Sequence, residues 1–134
     1  MQAAEVEKVF EQFPEEIRQC LLVIRKLILD TAKSQGKRLT ETLKWGEPSY
    51  LCEGASTVRL GWKKSQPDEY YVYFNCKTRL VDTFREIYPR QFNYSCNRAI
   101  VLNVNEKFSP EALMHCIALS LTYHKIKHLP LLGA

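Results

Sequence analysis

The sequence predicts an α+β fold, a small antiparallel-rich four-stranded sheet with helices packed mainly on one face. Three observations point there: apolar residues recur at helical spacing over 15–33, the period switches to two from residue 49, and helical spacing returns after residues 78 and 109. The expected order is helix, helix, three strands, helix, strand, helix, in one domain spanning 1–134. A chain of this length buries about two thirds of the surface it exposes when unfolded, enough for a real core.

Val6, Val9, Phe10 and Phe13 form a first short helix ahead of Pro14. In the second, Ile17, Cys20, Leu21, Ile24, Leu27, Ile28 and Ala32 make the inward stripe, and Pro14 suits a helix start. Leu22, Val23 and Leu29 widen that stripe, so this helix should meet both the sheet and another helix. The stretch "ETLKWGEPSYL" follows, where Gly46 and Pro48 read as a stiff corner ahead of the first strand: the Gly takes an unusual backbone angle and the Pro holds the extended exit. Strands are expected at 49–52, 57–63 and 70–76, separated by turn compositions at 53–56 and 65–68. Thr78 is placed to cap a helix carrying Leu80, Val81, Phe84, Ile87 and Tyr88, which should stop before Pro89. A fourth strand at 98–104 leads to the last helix, capped by Ser109 with Pro110 first, and with an inward stripe of Leu113, Cys116, Ile117, Ser120, Leu121 and His124. The apolar tail 129–134 should lie against the body.

Hydrophobic residues at 46% and charged residues at 25% fit an ordinary globular protein. Five cysteines, odd in number and with no C-x-x-C pair, argue against a disulfide scaffold and against a zinc site. No apolar run approaches the roughly 18 residues that span a bilayer. The first nine residues include Glu5 and Glu7 and lack a secretory pattern, so the expected setting is cytoplasmic with no membrane partner. The net charge of +4 is uneven: residues 1–34 hold six acids against five bases, and residues 35–67 hold six bases against three acids. A basic middle favours an anionic ligand, although such residues are more often solvated surface. There is no Gly-rich phosphate loop, H-E-x-x-H or Gly-x-Ser-x-Gly elbow, which lowers the case for an enzyme and leaves no catalytic residue to nominate.

Strand alternation sorts the side chains into two faces. Val58, Leu60, Trp62, Tyr70, Val72, Phe74, Cys76, Ile100, Leu102 and Val104 make a core face. Arg59, Lys63, Tyr71, Tyr73, Asn75, Val101 and Asn103 make the other, which suits either a solvated sheet face or a shallow pocket. In the pocket reading Arg59 pairs an anionic group, Tyr71 and Tyr73 give ring surface, Asn75 adds a polar contact, and Trp45 with Glu47 stands at the rim. Trp45 fits core packing more readily than a stacking platform. His124 and His128, four apart on the final helix, have the spacing for a shared metal, but no third ligand is visible nearby. The plainer reading puts His124 at the core edge and His128 at the helix C-terminus.

The segments "TLKWGEPSY", "VRLGWK", "YYVYFNCKTRLVDTFRE", "NRAIVL" and "LTYHKIKHLPLLGA", in this order, resemble a branch of the bacterial YdhG-like family, a domain of unknown function. The resemblance runs from about Phe13 onward and implies a small cytoplasmic α+β protein. It also implies an alternative function, an intracellular iron chaperone compared with frataxin, with Glu11 and Glu15 among its carboxylates and iron as the possible cofactor. Here Glu5, Glu7, Glu11, Glu15 and Glu16 are interleaved with Lys8 and Arg18, which dilutes any acidic ridge. The preferred expectation is therefore a non-catalytic domain that binds a small anionic or aromatic molecule. A homodimer or other protein partner would suit an uncovered sheet face, and single-stranded nucleic acid ranks last because the bases form no continuous groove in sequence.

Overall fold

The computed structural model describes Met1 and residues 3–134. Helices α1 (Ala4–Gln12) and α2 (Glu15–Ser34) are followed by strands β1 (Thr40–Lys44), β2 (Glu47–Leu51), β3 (Val58–Trp62) and β4 (Glu69–Tyr73). Helix α3 (Leu80–Ile87), strands β5 (Asn93–Ser95) and β6 (Ala99–Asn103), and helices α4 (Pro110–Leu121) and α5 (Tyr123–Ile126) complete the domain, with a 3-10 segment at Pro130–Gly133. The class is α+β, as expected. The sheet, however, has six strands rather than four, all antiparallel, in the order β1-β2-β3-β4-β6-β5.

Both extra strands have a physical reason for lacking a sequence signature. In β1 the inward positions are Glu41 and Leu43, and a carboxylate at an inward position breaks the alternation that marks a strand. That carboxylate is nonetheless buried, because Arg25 on α2 donates to it through Nε (2.6 Å) and Nη2 (3.1 Å) and the Tyr50 hydroxyl donates to it at 2.7 Å. A buried charge is tolerable only with such partners. Strand β5 is three residues long and polar, and it exists by pairing with β6.

The supposed corner at residues 45–48 is instead the tip of a β1–β2 hairpin, since Lys44 pairs with Glu47 across a two-residue turn. Trp45 (φ 57°) and Gly46 (φ 75°) both adopt left-handed backbone, as a type I′ turn requires. Gly takes that angle freely, but Trp does not.

Helix α2 packs on α4 and on β4, but its stripe is narrower than expected: Leu22 and Leu29 are half-buried and Val23 is exposed. The core joins Leu21, Ile24 and Ile28 of α2 and Leu113 and Ile117 of α4 to Leu60, Val72 and Ile100 of the sheet, all fully buried. Trp62 and Val104 of the expected core face are only half-buried. Cys76 leaves that face altogether, because β4 ends at Tyr73 and alternation stops there. Ser109 caps α4 by accepting from the Ala112 N–H at 3.2 Å, with Pro110 at the first position. Helix α3 starts one residue later than expected: Arg79 occupies its cap position, and the Thr78 hydroxyl accepts from the Leu80 N–H at 3.3 Å.

Among the described residues, no helix is long and apolar enough to cross a membrane.

Candidate ligand-binding site

The sheet face turned away from the core carries a cleft of about 580 Å³. Trp45, Glu47, Arg59, Tyr71, Tyr73 and Asn75, the six residues nominated above, all line it. Among the described residues, none in a helix lines it. Three loops and the sheet floor supply the walls. Lys44 and Trp45 come from the β1–β2 tip, Asn75 and Cys76 from the turn after β4, and Arg98 from the β5–β6 turn.

Register explains how the floor is assembled. Arg59 pairs with Ser49 on one side and Tyr73 on the other, and Tyr73 pairs with Ala99, so these residues form one row across four strands. One same-face step along, Gly61 pairs with Tyr71, and Tyr71 pairs with Val101. Gly61 is needed for close approach: a Cβ there would lie 2.5 Å from a Glu47 carboxylate oxygen and 2.7 Å from the Tyr73 ring. Its bare backbone lets Glu47 and Tyr73 lean together over β3.

Electrostatically the cleft is basic. Lys44, Arg59, Lys63 and Arg98 face one acid, Glu47. Arg59 Nε sits 3.6 Å from Glu47 Oε1. Among the described residues, no carboxylate lies within ion-pair distance of Lys44, Lys63 or Arg98. Burial pushes the Glu47 carboxyl up from its ordinary value, against the pull of Arg59 and Lys63. Burial, reinforced by Glu47 and Tyr71, pushes the Tyr73 hydroxyl up to about 12, so it stays a neutral donor at ordinary pH.

Two expectations change in the structure. Trp45 is no core residue: it is 87% exposed at the hairpin tip. Tyr71 and Tyr73 stack on each other, centroids 5.5 Å apart and planes 15° apart, and the Lys63 ammonium lies 5.0 Å from the Tyr71 centroid. Tyr71 is 4% exposed, so it offers little ring face and instead braces Tyr73. Asn75 lies beyond the strand, exposed, with its Oδ1 accepting from the Lys77 N–H at 2.8 Å.

Lys44 and Arg98 were missed as site residues because both sit at hairpin tips, which enter the cleft only once β1 and β5 exist. The one local hint for the first was Gly46, a residue suited to the second position of a two-residue turn, and with Glu41 masking β1 it did not by itself mark a hairpin.

The residues considered for a metal stand apart. Helix α4 ends at Leu121, so His124 sits in α5 and His128 in the turn beyond it, both exposed, and the single-helix spacing that motivated the pair does not hold. Glu11 is exposed on α1, and the Glu15 carboxylate at the start of α2 is engaged by Arg18 and Gln19. Among the described residues, no group of three or more His, Cys, Asp or Glu could hold a metal ion.

A second cleft, of about 420 Å³, adjoins the first and shares Lys63, Tyr71 and Ser95 with it. It adds Glu69, Asn93, Val101, Asn103 and Glu106. The Tyr71 hydroxyl donates to Glu69 at 3.3 Å.

Comparison with known proteins finds no matching family model, curated protein or solved structure.

Proposed function

We propose that the protein is a non-catalytic binding domain for a small anionic molecule, held on the open face of the sheet. The observation that carries this reading is the concentration of Lys44, Arg59, Lys63 and Arg98 around one cleft with a single opposing acid. Arg59 offers a planar fork and the Tyr73 hydroxyl a further donor, a set suited to phosphate or carboxylate. Trp45 supports the same reading. A large aromatic held in left-handed backbone, exposed, and beside the cations is unfavourable for folding alone, and such outliers concentrate at functional sites. The kinship with the YdhG-like family remains part of the proposal and adds no residue roles to it.

Thermal shift across a panel of phosphates, carboxylates, neutral sugars and amines tests this directly, since a ligand that binds only the folded state raises the melting midpoint. The midpoint rises with phosphates or carboxylates and stays flat with neutral and cationic compounds. Replacing Arg59 and Arg98 together by Ala removes the rise while leaving the ligand-free midpoint within about 2 °C, because both are surface-accessible side chains. A flat panel, or a response that survives the double replacement, contradicts the proposal.

A further inference from the structure

The two adjoining clefts have opposite chemistry. The first is donor-rich, with Arg59, Arg98 and the Tyr73 hydroxyl clustered around the Tyr73 row. The second is acceptor-rich: Glu69, Glu106, Asn93 and Asn103 line it with Lys63, and the Asn103 Oδ1 already accepts from the Asn105 N–H at 2.8 Å. The two regions share Lys63, Tyr71 and Ser95. Their separation follows from register: Arg59 and Ala99 flank Tyr73, whereas Asn103 pairs with Glu69, four residues along the same strand. At about 3.3 Å per residue the backbone positions of Tyr73 and Glu69 lie about 13 Å apart. Between them stand the nearly buried Tyr71 and the half-buried apolar side chain of Val101, directly paired in register.

We infer that the ligand is bipolar, an anionic group at the Arg59 and Arg98 end and a hydrogen-bond-donating group at the Glu69 end, and that a nucleoside monophosphate with an exocyclic amine is the class that fits. This rests on the anion-binding reading above and narrows it. The phosphate meets the guanidinium groups and the Tyr73 hydroxyl. The sugar and ring cross Tyr71 and Val101, and the amine donates to Glu69 or Asn103. The same polarity disfavours single-stranded nucleic acid, because a chain continuing along the groove would place its next phosphates against Glu69 and Glu106. It equally disfavours a plain inorganic anion, which would leave the second cleft unused.

Isothermal titration with four probes tests the inference: adenosine 5′-monophosphate, inosine 5′-monophosphate, adenosine and inorganic phosphate. Adenosine 5′-monophosphate binds at least about tenfold more tightly than phosphate or adenosine, and more tightly than the inosine compound, which carries a carbonyl in place of the amine. Arg98→Ala weakens the adenosine monophosphate about tenfold and leaves adenosine unchanged. Glu69→Gln weakens it severalfold and leaves phosphate unchanged. If phosphate binds as tightly as the nucleotide and still depends on Arg98, the bipolar ligand is wrong and the anion site stands. If Glu69→Gln has no effect on the nucleotide, the assigned orientation is overturned. If neither phosphate nor nucleotide binds, and the carboxylates of the panel also fail, both readings fall.

Discussion

Glu47 is the residue on which the chemistry of the cleft turns. Its carboxylate lies 3.6 Å from Arg59, the group best shaped to hold an anion, so under the proposed function it would compete with the ligand for that fork. Because burial raises its folded-state proton affinity, the folded protein holds a proton on Glu47 more tightly than the unfolded chain does. The associated stability is therefore fully present below the ordinary value near 4.5 and is lost as pH rises through the raised folded value. Anion affinity follows the same sign, since protonation removes the competing charge. Titrating the anion across this acid window shows affinity rising as pH falls, and Glu47→Gln binds more tightly at neutral pH with that step gone. Equal pH profiles for the two proteins would show that Glu47 does not compete for Arg59. At this scale much was legible in the sequence: alternation alone places Arg59, Tyr71 and Tyr73 on one face. What it could not give was orientation, because a tyrosine's ring stacked on its neighbour and one facing a ligand have the same spacing.

The β1–β2 hairpin is the element that completes the site, and it is the element the sequence hid best. Glu41 at an inward position conceals β1, and hydrogen bonds from Arg25 and Tyr50, 16 and 9 positions away, help make that position tenable. With β1 unseen, Trp45 and Gly46 read as a corner rather than as a turn with both central residues left-handed. Left-handed backbone costs an L-residue roughly 1–2 kcal/mol, and Asn before Gly is a preferred pair for this turn. Trp45→Asn therefore raises the melting midpoint by about 3 °C. It also weakens binding of a ring-bearing anion more than binding of inorganic phosphate. A variant that gains stability and loses no affinity would mark Trp45 as a bystander at the rim. The final helices teach a similar lesson about local breaks. Apolar periodicity carries smoothly through residue 124, yet α4 stops at Leu121, the Thr122 hydroxyl turns back to the Ala118 carbonyl at 2.9 Å, and His124 N–H donates to the Gly54 carbonyl at 3.0 Å. A tertiary hydrogen bond of this kind has no period, and it redirects the chain so that His124 and His128 no longer share a helix.

Across the whole molecule, apolar burial and charge are segregated. Helices α2 and α4 pack with the sheet into the apolar core, while the cations, the stacked tyrosines and three loops gather around the cleft. The α+β class and most strand positions were readable because buried apolar residues announce a face by repetition. A net charge of +4 says little by itself; the arrangement that matters brings together residues 44, 59, 63 and 98, which only the strand order β1-β2-β3-β4-β6-β5 makes neighbours. The central claim is that this open face, and not the helical side, is where an anion binds. Backbone amide NMR during titration with adenosine 5′-monophosphate tests it most directly. Shift changes should cluster at Lys44 to Glu47, Arg59, Tyr73 to Cys76 and Arg98, where the anion binds, and extend to Glu69, Tyr71, Val101 and Asn103 if the ligand is bipolar. Changes confined to α2 or α4, or none at saturating concentration, would contradict the account.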